Sequence, residues 1–108
     1  MADQIDDLRG EIQRLGPWQF RFTINGVSTG GNFPLPNEPK WALFQSAFPT
    51  ARTAMELGCC EGYNSFQLAE RMDRVVSIEG REENSKRARF VQRWLDPAQK
   101  IQFEQGNL

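Results

Sequence analysis

The chain has 108 residues, of which 39% are hydrophobic and 25% charged, and its formal net charge is −1. This is an ordinary length for a soluble single domain, and the charge argues against a bulk polyanion binder. No apolar run approaches the roughly 18 to 20 residues that span a bilayer, and no cleavable signal is evident, so a cytoplasmic protein is expected.

The N-terminal half, residues 1–50, is predicted to be a leader of helix and aromatic loop. Apolar residues at three- and four-residue spacing indicate an amphipathic helix, and they are Ile5, Leu8, Ile12 and Leu15. Gly16 and Pro17 are expected to end this helix. Residues 18–39 are rich in aromatic, Gly, Pro and Asn residues, which favours loop with short extended pieces. A second helix is expected from Lys40 to Phe48.

The second half, residues 51–108, begins with a βαβ pattern. A short strand ends at Gly58, Gly62 follows four residues later, and a helix begins at Tyr63 or Asn64. A buried strand over residues 75–78 is then closed by Glu79 and Gly80. Because ligands bind beyond the carboxyl ends of parallel strands, the glycine loop and Glu79 should share one rim, where a ligand with a ribose would bridge them.

The loop composition favours one class of nucleotide. A dinucleotide fingerprint has three glycines, whereas here only Gly58 and Gly62 are present. Glu56 and Glu61 would also oppose a pyrophosphate, so a cationic, phosphate-free ligand such as S-adenosylmethionine fits better. The alternatives are that the glycine pair marks only a turn and that Glu79 is a solvated strand end.

The segment Glu56-Leu57-Gly58-Cys59-Cys60-Glu61-Gly62 resembles the glycine loop of class I S-adenosylmethionine-dependent methyltransferases. The resemblance implies an α/β, partial Rossmann-like methyltransferase fold, with three parallel strands in the order 3-2-1 and flanking helices. It implies ribose binding by Glu79 and adenine binding by Asn107, after a third strand over residues 101–105. The full set of implied cofactor-binding residues is Glu56, Gly58, Cys59, Cys60, Gly62, Glu79, Gly80 and Asn107.

Cys60 departs from the family pattern, which has a glycine at that position. Its Cβ would shift the approach of the backbone to the methionine part of the cofactor. Cys59 and Cys60 are adjacent and the chain has no histidine, so they cannot assemble a zinc site and fit small buried hydrophobes better. They imply no disulfide framework, which agrees with a reducing compartment.

The resemblance covers only the first three of seven strands. Substrate and catalytic residues of the family lie mainly after later strands, so no catalytic residue, acceptor or oligomeric state can be assigned. The chain is expected to be the cofactor-binding half of a longer enzyme and to be inactive by itself. The first strand would be an exposed edge that pairs with the missing C-terminal half or with a second copy.

The leader also resembles the segment that precedes the glycine loop in some small-molecule and tRNA-wobble-uridine methyltransferases. The resemblance rests on Gly16-Pro17-Trp18 and Lys40-Trp41. Its aromatic residues would either cap the ligand rim or only cover the sheet face, and they are Trp18, Phe20, Phe22, Phe33 and Trp41.

Two other functions remain open. One is an NAD- or nucleotide-binding Rossmann fragment, and the other is a non-catalytic interaction module. Basic residues of the helix predicted over 82–95 could contact a nucleic acid, which would enter only as an acceptor substrate. A solvated helix face is the favoured explanation for these bases, which are Lys86, Arg87, Arg89 and Arg93.

Overall fold

A computed structural model describes residues 2–34 and 40–106 of the chain, which form an α/β fold. The elements in chain order are α1 (Ala2–Leu15), β1 (Thr23–Ile24), β2 (Val27–Ser28), α2 (Lys40–Ala47), β3 (Thr53–Leu57), α3 (Tyr63–Arg71), β4 (Arg74–Glu79), α4 (Glu82–Leu95) and β5 (Ile101–Gln105). No helix in these ranges is both long and apolar enough to cross a bilayer.

The main sheet confirms the predicted topology. Strands β3, β4 and β5 are parallel, and β4 lies in the middle. They are the first, second and third strands of the prediction, so the sheet order β5-β4-β3 is the predicted order 3-2-1. Each connection runs through one helix, as a parallel crossover requires.

The leader contains a β-hairpin where only short extended pieces were predicted. Strands β1 and β2 are antiparallel and pair Ile24 with Val27. Asn25 and Gly26 have φ angles of 48° and 81°, so they form a two-residue turn with both φ values positive. Such turns match the twist of the flanking strands, which is why Asn-Gly favours hairpins.

The two faces of the main sheet differ in their cover. Along β4, Val75, Ser77 and Glu79 are buried on the face that α3 and α4 cover. On β3, Met55 and Leu57 point to the other face, where their side chains are 64% and 60% exposed. The described helices therefore cover one face and leave apolar residues open on the other.

The hydrophobic core joins the two halves of the sequence. It includes Leu8 and Phe22 of the leader together with Phe66, Val75 and Phe90 of the second half. Burial of such side chains contributes about 1.5–3 kcal/mol each relative to exposure. The domain boundary at residue 50 stays a prediction. Residues on both sides of it contribute to this one hydrophobic cluster.

Three of the leader aromatic residues pack on helices. The Trp18 ring lies 6.1 Å from that of Phe90 in α4, and Phe22 lies edge-on to Phe66 in α3 at 5.9 Å. Trp41 packs under the guanidinium of Arg71, 4.9 Å from its ring centroid. Trp18, Phe22 and Trp41 thus pack on helices, and both the cap and the sheet-cover interpretation stay predictions for them.

The other two aromatic residues of this set lie near the start of α3. Phe20 stacks on Tyr63 at 5.4 Å, and Phe33 lies 5.8 Å from Phe20. For Phe20 and Phe33 the cap stays a prediction.

Asp96 fixes the turn between α4 and β5. It is buried and accepts hydrogen bonds from the backbone N–H groups of Lys100 and Ile101, both at 2.9 Å. Gln92 of α4 donates to the same carboxylate at 3.0 Å. One side chain therefore sets where β5 begins.

The basic residues of α4 mostly have acidic partners within the protein. Lys86 pairs with Glu82 at 3.3 Å, Arg93 pairs with Glu11 at 3.3 Å, and Arg87 is nearly buried. The pairs at the surface contribute little stability, but they supply a structural role for these bases. This supports the solvated helix face for Lys86, Arg89 and Arg93. For Arg87 the prediction is wrong, because its side chain turns inward toward the buried Glu61.

Candidate functional site

The glycine loop, residues 58–62, lies at the carboxyl ends of β3 and β4. The backbone N–H groups of Gly58 and Cys59 both donate to the carbonyl oxygen of Ile78, at 2.8 and 3.1 Å. The N–H of Cys60 donates to Oε1 of Glu79 at 2.8 Å. The loop and Glu79 therefore share one rim, as predicted.

The two glycines of the loop meet different surroundings. Gly58 has a φ of 72°, and a Cβ added there would meet no atom within 4 Å. Gly62 has a φ of 89°, and a Cβ there would lie 3.0 Å from the ring of Phe103 and 3.2 Å from that of Phe66. Both positions need the left-handed conformation that glycine adopts most easily, but only Gly58 has open space beside it.

Cys60, which replaces the middle glycine of the family pattern, also has a positive φ, of 55°. Its thiol points toward the leader, with Sγ 3.5 Å from Oε1 of Gln19. A left-handed conformation is uncommon for a residue with a Cβ, which gives a backbone reason for the family glycine.

Both thiols are poor nucleophiles at neutral pH. Burial raises the pKa of Cys59 to about 12, and the charges of Glu56 and Glu79 act in the same direction. Burial also raises the pKa of Cys60, with Glu61 adding to the effect. This supports the interpretation of the cysteines as small packing residues.

Glu79, the last residue of β4, accepts a hydrogen bond from the loop backbone and is 8% exposed. Its Oε2 accepts from the backbone N–H of Arg81 at 3.1 Å and from Nδ2 of Asn84 at 3.3 Å, in addition to the Cys60 contact at Oε1. A carboxylate has about four acceptor positions, so Glu79 keeps capacity for a ligand hydroxyl. Gly80 follows it and is exposed.

Glu56 faces α3 at the covered side of the sheet. Its Oε1 accepts from Oγ of Ser65 at 2.5 Å, and that hydroxyl also lies 2.7 Å from Oγ of Ser77. Burial raises the pKa of Glu56, although the Ser65 hydrogen bond and the charge of Lys40 act in the opposite direction. Glu56 thus joins β3 to α3 beneath the loop.

The prediction that Glu61 opposes a pyrophosphate is wrong in its geometry. The side chain is fully buried and accepts hydrogen bonds from the leader, from the N–H groups of Gln19 at 2.9 Å and Phe20 at 2.7 Å. Arg87 lies 3.7 Å from it. Its charge therefore points away from the rim and has a partner. The arguments against a dinucleotide that remain are the missing third glycine and the acid Glu56.

The first turn of α3 offers further donors. Gly62 occupies the N-cap position, and no side chain caps the helix there. The first N–H groups of a helix have no partner within it and attract negative charge, so they can receive a carboxylate. Asn107 lies outside the described residues. Over residues 2–34 and 40–106 no cluster of Cys, Asp and Glu could hold a metal ion.

Comparisons with known proteins identify the architecture. No protein-family model and no curated protein matches the chain. The crystal structure of the N-terminal domain of EvdMO1 with SAH (S-adenosylhomocysteine) bound is 28% identical, with a TM-score of 0.78 over 94% of this chain.

Two more distant structures share parts of the fold. The PH0226 protein from Pyrococcus horikoshii OT3 is 21% identical, with a TM-score of 0.54 over 61% of this chain and 28% of that one. The bifunctional kinase-methyltransferase WbdD is 19% identical, with a TM-score of 0.50 over 68% of this chain and 20% of that one.

The match to EvdMO1 combines high coverage of this chain with partial coverage of the neighbour. This chain spans 45% of the EvdMO1 domain structure. The matched 94% of this chain takes in most of its three-stranded parallel sheet and crossover helices. The chain therefore has part of the class I S-adenosylmethionine-dependent methyltransferase fold.

Proposed function

We propose that this chain binds S-adenosylmethionine and is the cofactor-binding half of a methyltransferase. The observation that carries the proposal is the 2.8 Å contact between the Cys60 N–H and Glu79, which joins the glycine loop to the acidic end of the next strand. A domain with 28% identity that shares this fold has been crystallised with SAH bound.

Each part of the rim has a role in this proposal. Glu79 accepts hydrogen bonds from the ribose hydroxyls, and Gly58 leaves the space through which the ligand approaches the backbone. The uncapped first turn of α3 receives the carboxylate of the methionine part. The cofactor supplies an electrophilic methyl group, and these residues hold it in position.

The acceptor and the catalytic residues remain unassigned. Methyl transfer is a direct displacement, for which the protein mainly orients the nucleophile and excludes water. The EvdMO1 domain has also been crystallised in the presence of SAH and D-fucose, so a saccharide is the first acceptor class to test. A cytoplasmic location stays a prediction.

Calorimetric titration of the purified chain with SAH, S-adenosylmethionine and NAD tests the proposal. We expect both adenosyl compounds to bind and NAD not to bind. Binding of NAD alone would overturn the proposal in favour of a dinucleotide site. A folded chain that binds none of the three would favour the interaction module.

Glu79→Gln tests the ribose role with little change in side-chain shape. The affinity for SAH should fall by roughly 1–3 kcal/mol, because an amide is a weaker acceptor than a carboxylate and can also donate. Glu70→Gln, on the exposed side of α3, is the matched control and should leave the affinity unchanged. Equal affinities for the two variants would remove Glu79 from the site.

We also propose that the open sheet face and the β3 edge bind protein, either the remaining half of such a domain or a second copy. The support is the exposure of Met55 and Leu57 on that face. Sedimentation velocity over a concentration range should show self-association that Leu57→Lys reduces. Ala98→Lys, in the exposed turn between α4 and β5 and away from that face, should not reduce it. A wild-type chain that stays monomeric would exclude the second copy.

A further inference from the structure

Glu61 is a buried acid whose partners belong to a distant part of the sequence. Its side chain is 0% exposed, although it belongs to the glycine loop. Its two oxygens accept from the N–H of Gln19, at 3.1 and 2.9 Å, and Oε1 also accepts from that of Phe20 at 2.7 Å. These donors lie in the leader, 42 and 41 residues earlier in the chain.

Arg87 extends this contact to the acidic strand end. It lies 3.7 Å from Glu61 and also donates through Nε to the carbonyl oxygen of Leu15, the last residue of α1. Its Nη1 donates to Asn84 at 3.0 Å, and Asn84 in turn donates to Glu79 at 3.3 Å. A continuous set of hydrogen bonds thus runs from the leader to the proposed ribose acceptor.

The chemistry of a buried carboxylate makes this contact sensitive to leader docking. A buried charge is tolerated only while it is paired and hydrogen-bonded. If the leader leaves, Glu61 loses its two amide donors, and the conformation of the loop is no longer held by these hydrogen bonds. The loop residues on either side of Glu61, Cys60 and Gly62, both have positive φ angles, of 55° and 89°.

We propose that Glu61 is a positioning residue through which docking of the leader fixes the geometry of the cofactor loop. The proposal rests on the proposed function, because the ligand is the one assigned there. Binding coupling is reciprocal, so a ligand that selects the ordered loop must also favour the docked leader, and the reverse. Because Glu61 is fully buried against the leader, it would act through the loop backbone and not by touching the cofactor.

Hydrogen exchange on the wild-type chain gives a test that needs no variant. Addition of SAH should slow exchange at the amides of Gln19 and Phe20 by about tenfold, a typical coupling between sites. The amide of Thr29 is the internal control, because it donates to Phe22 within the leader hairpin. It should slow less.

The outcomes of this experiment separate the two proposals. Slowing at the Cys60 amide without extra slowing at Gln19 and Phe20 would overturn the coupling and leave the cofactor site intact. Equal slowing at Gln19, Phe20 and Thr29 would also overturn it, since that pattern reflects overall stabilisation. No binding of SAH would overturn the cofactor site and the coupling together.

Glu61→Gln then tests the residue itself. We expect it to weaken SAH binding about tenfold and to remove the extra slowing at Gln19 and Phe20. Val91→Ala, in the fully buried part of α4, lowers stability without removing a Glu61 hydrogen bond and should change neither property. Equal losses of affinity in both variants would show that Glu61 is merely structural. If Glu61→Gln does not fold, the wild-type exchange experiment still decides.

Discussion

The strand end and the helix end of the glycine loop differ in what surrounds them. At the strand end, Gly58 has open space where a side chain would lie. At the helix end, Gly62 is packed against two aromatic rings, and Glu61 is enclosed by the leader. Gly58 therefore leaves space at the proposed ligand site, whereas Gly62 allows close packing in the core.

A glycine in this motif can be required by ligand access or by core packing, and the sequence pattern does not distinguish the two. A positive φ at both glycines explains why both are glycine, but it does not say which one faces a ligand. Substitutions at the two ends should consequently affect stability and binding in different proportions.

The largest effect is expected for Gly62→Ala. The added Cβ would meet the ring of Phe103 at 3.0 Å, and the residue would keep a strained φ of 89°. We expect the free energy of unfolding to fall by about 2–4 kcal/mol, as overpacking and left-handed strain add. Urea unfolding measures this. A loss below about 1 kcal/mol would mean that the helix end is less closed than the contacts indicate.

Gly58→Ala should have a smaller effect on stability and a larger one on binding. Strain alone should lower the free energy of unfolding by about 1–2 kcal/mol, since no atom lies near the added Cβ. The affinity for SAH, measured by calorimetry on the folded variant, should fall more than it does for Gly62→Ala. The reverse ranking would contradict the assignment of the open end to the ligand.

Cys60→Gly should increase stability slightly. Glycine relieves the strain of a φ of 55° but has more freedom in the unfolded chain, so we expect a net gain of about 0.5 kcal/mol. Cys60→Ala, which keeps a Cβ, is the matched control and should bring no gain. Thermal unfolding of the three proteins measures the ranking.

Glu56 should make a pH-dependent contribution. Its pKa is raised by burial above the ordinary value of 4.5, so its contribution to stability is fully present below pH 4.5 and is lost as the pH rises through the folded-state pKa. Glu56→Gln should therefore gain stability relative to the wild type between pH 4 and pH 7. A relative gain toward low pH would contradict the direction of the shift.

The main sheet and its crossover helices could be predicted because their signals are local. Gly58 and Gly62 mark the turn, and α4 spans the predicted residues 82–95. The hairpin was missed although Asn25 and Gly26 are a strong turn signal, because each of its strands has only two residues.

The partners of Glu61 could not have been predicted in the same way. They are backbone N–H groups of Gln19 and Phe20, which every residue except proline carries, so the sequence holds no mark of them. The position of Glu79 was predictable because topology alone places the end of β4 beside the loop. Charge in a motif is thus a weaker guide than strand order, since burial can turn an acid away from the ligand.

The Asp96 turn has a consequence for the order of folding. Its backbone donors lie four and five residues away, whereas the leader donors of Glu61 lie 41 and 42 residues away. Closing short loops costs less chain entropy, so β4, α4 and β5 should form before the leader docks. Pulse-labelled hydrogen exchange should then protect Lys100 and Ile101 before Gln19 and Phe20, and the opposite order would contradict this. The loop that meets the ligand would be the last part of the molecule to acquire its final shape during refolding.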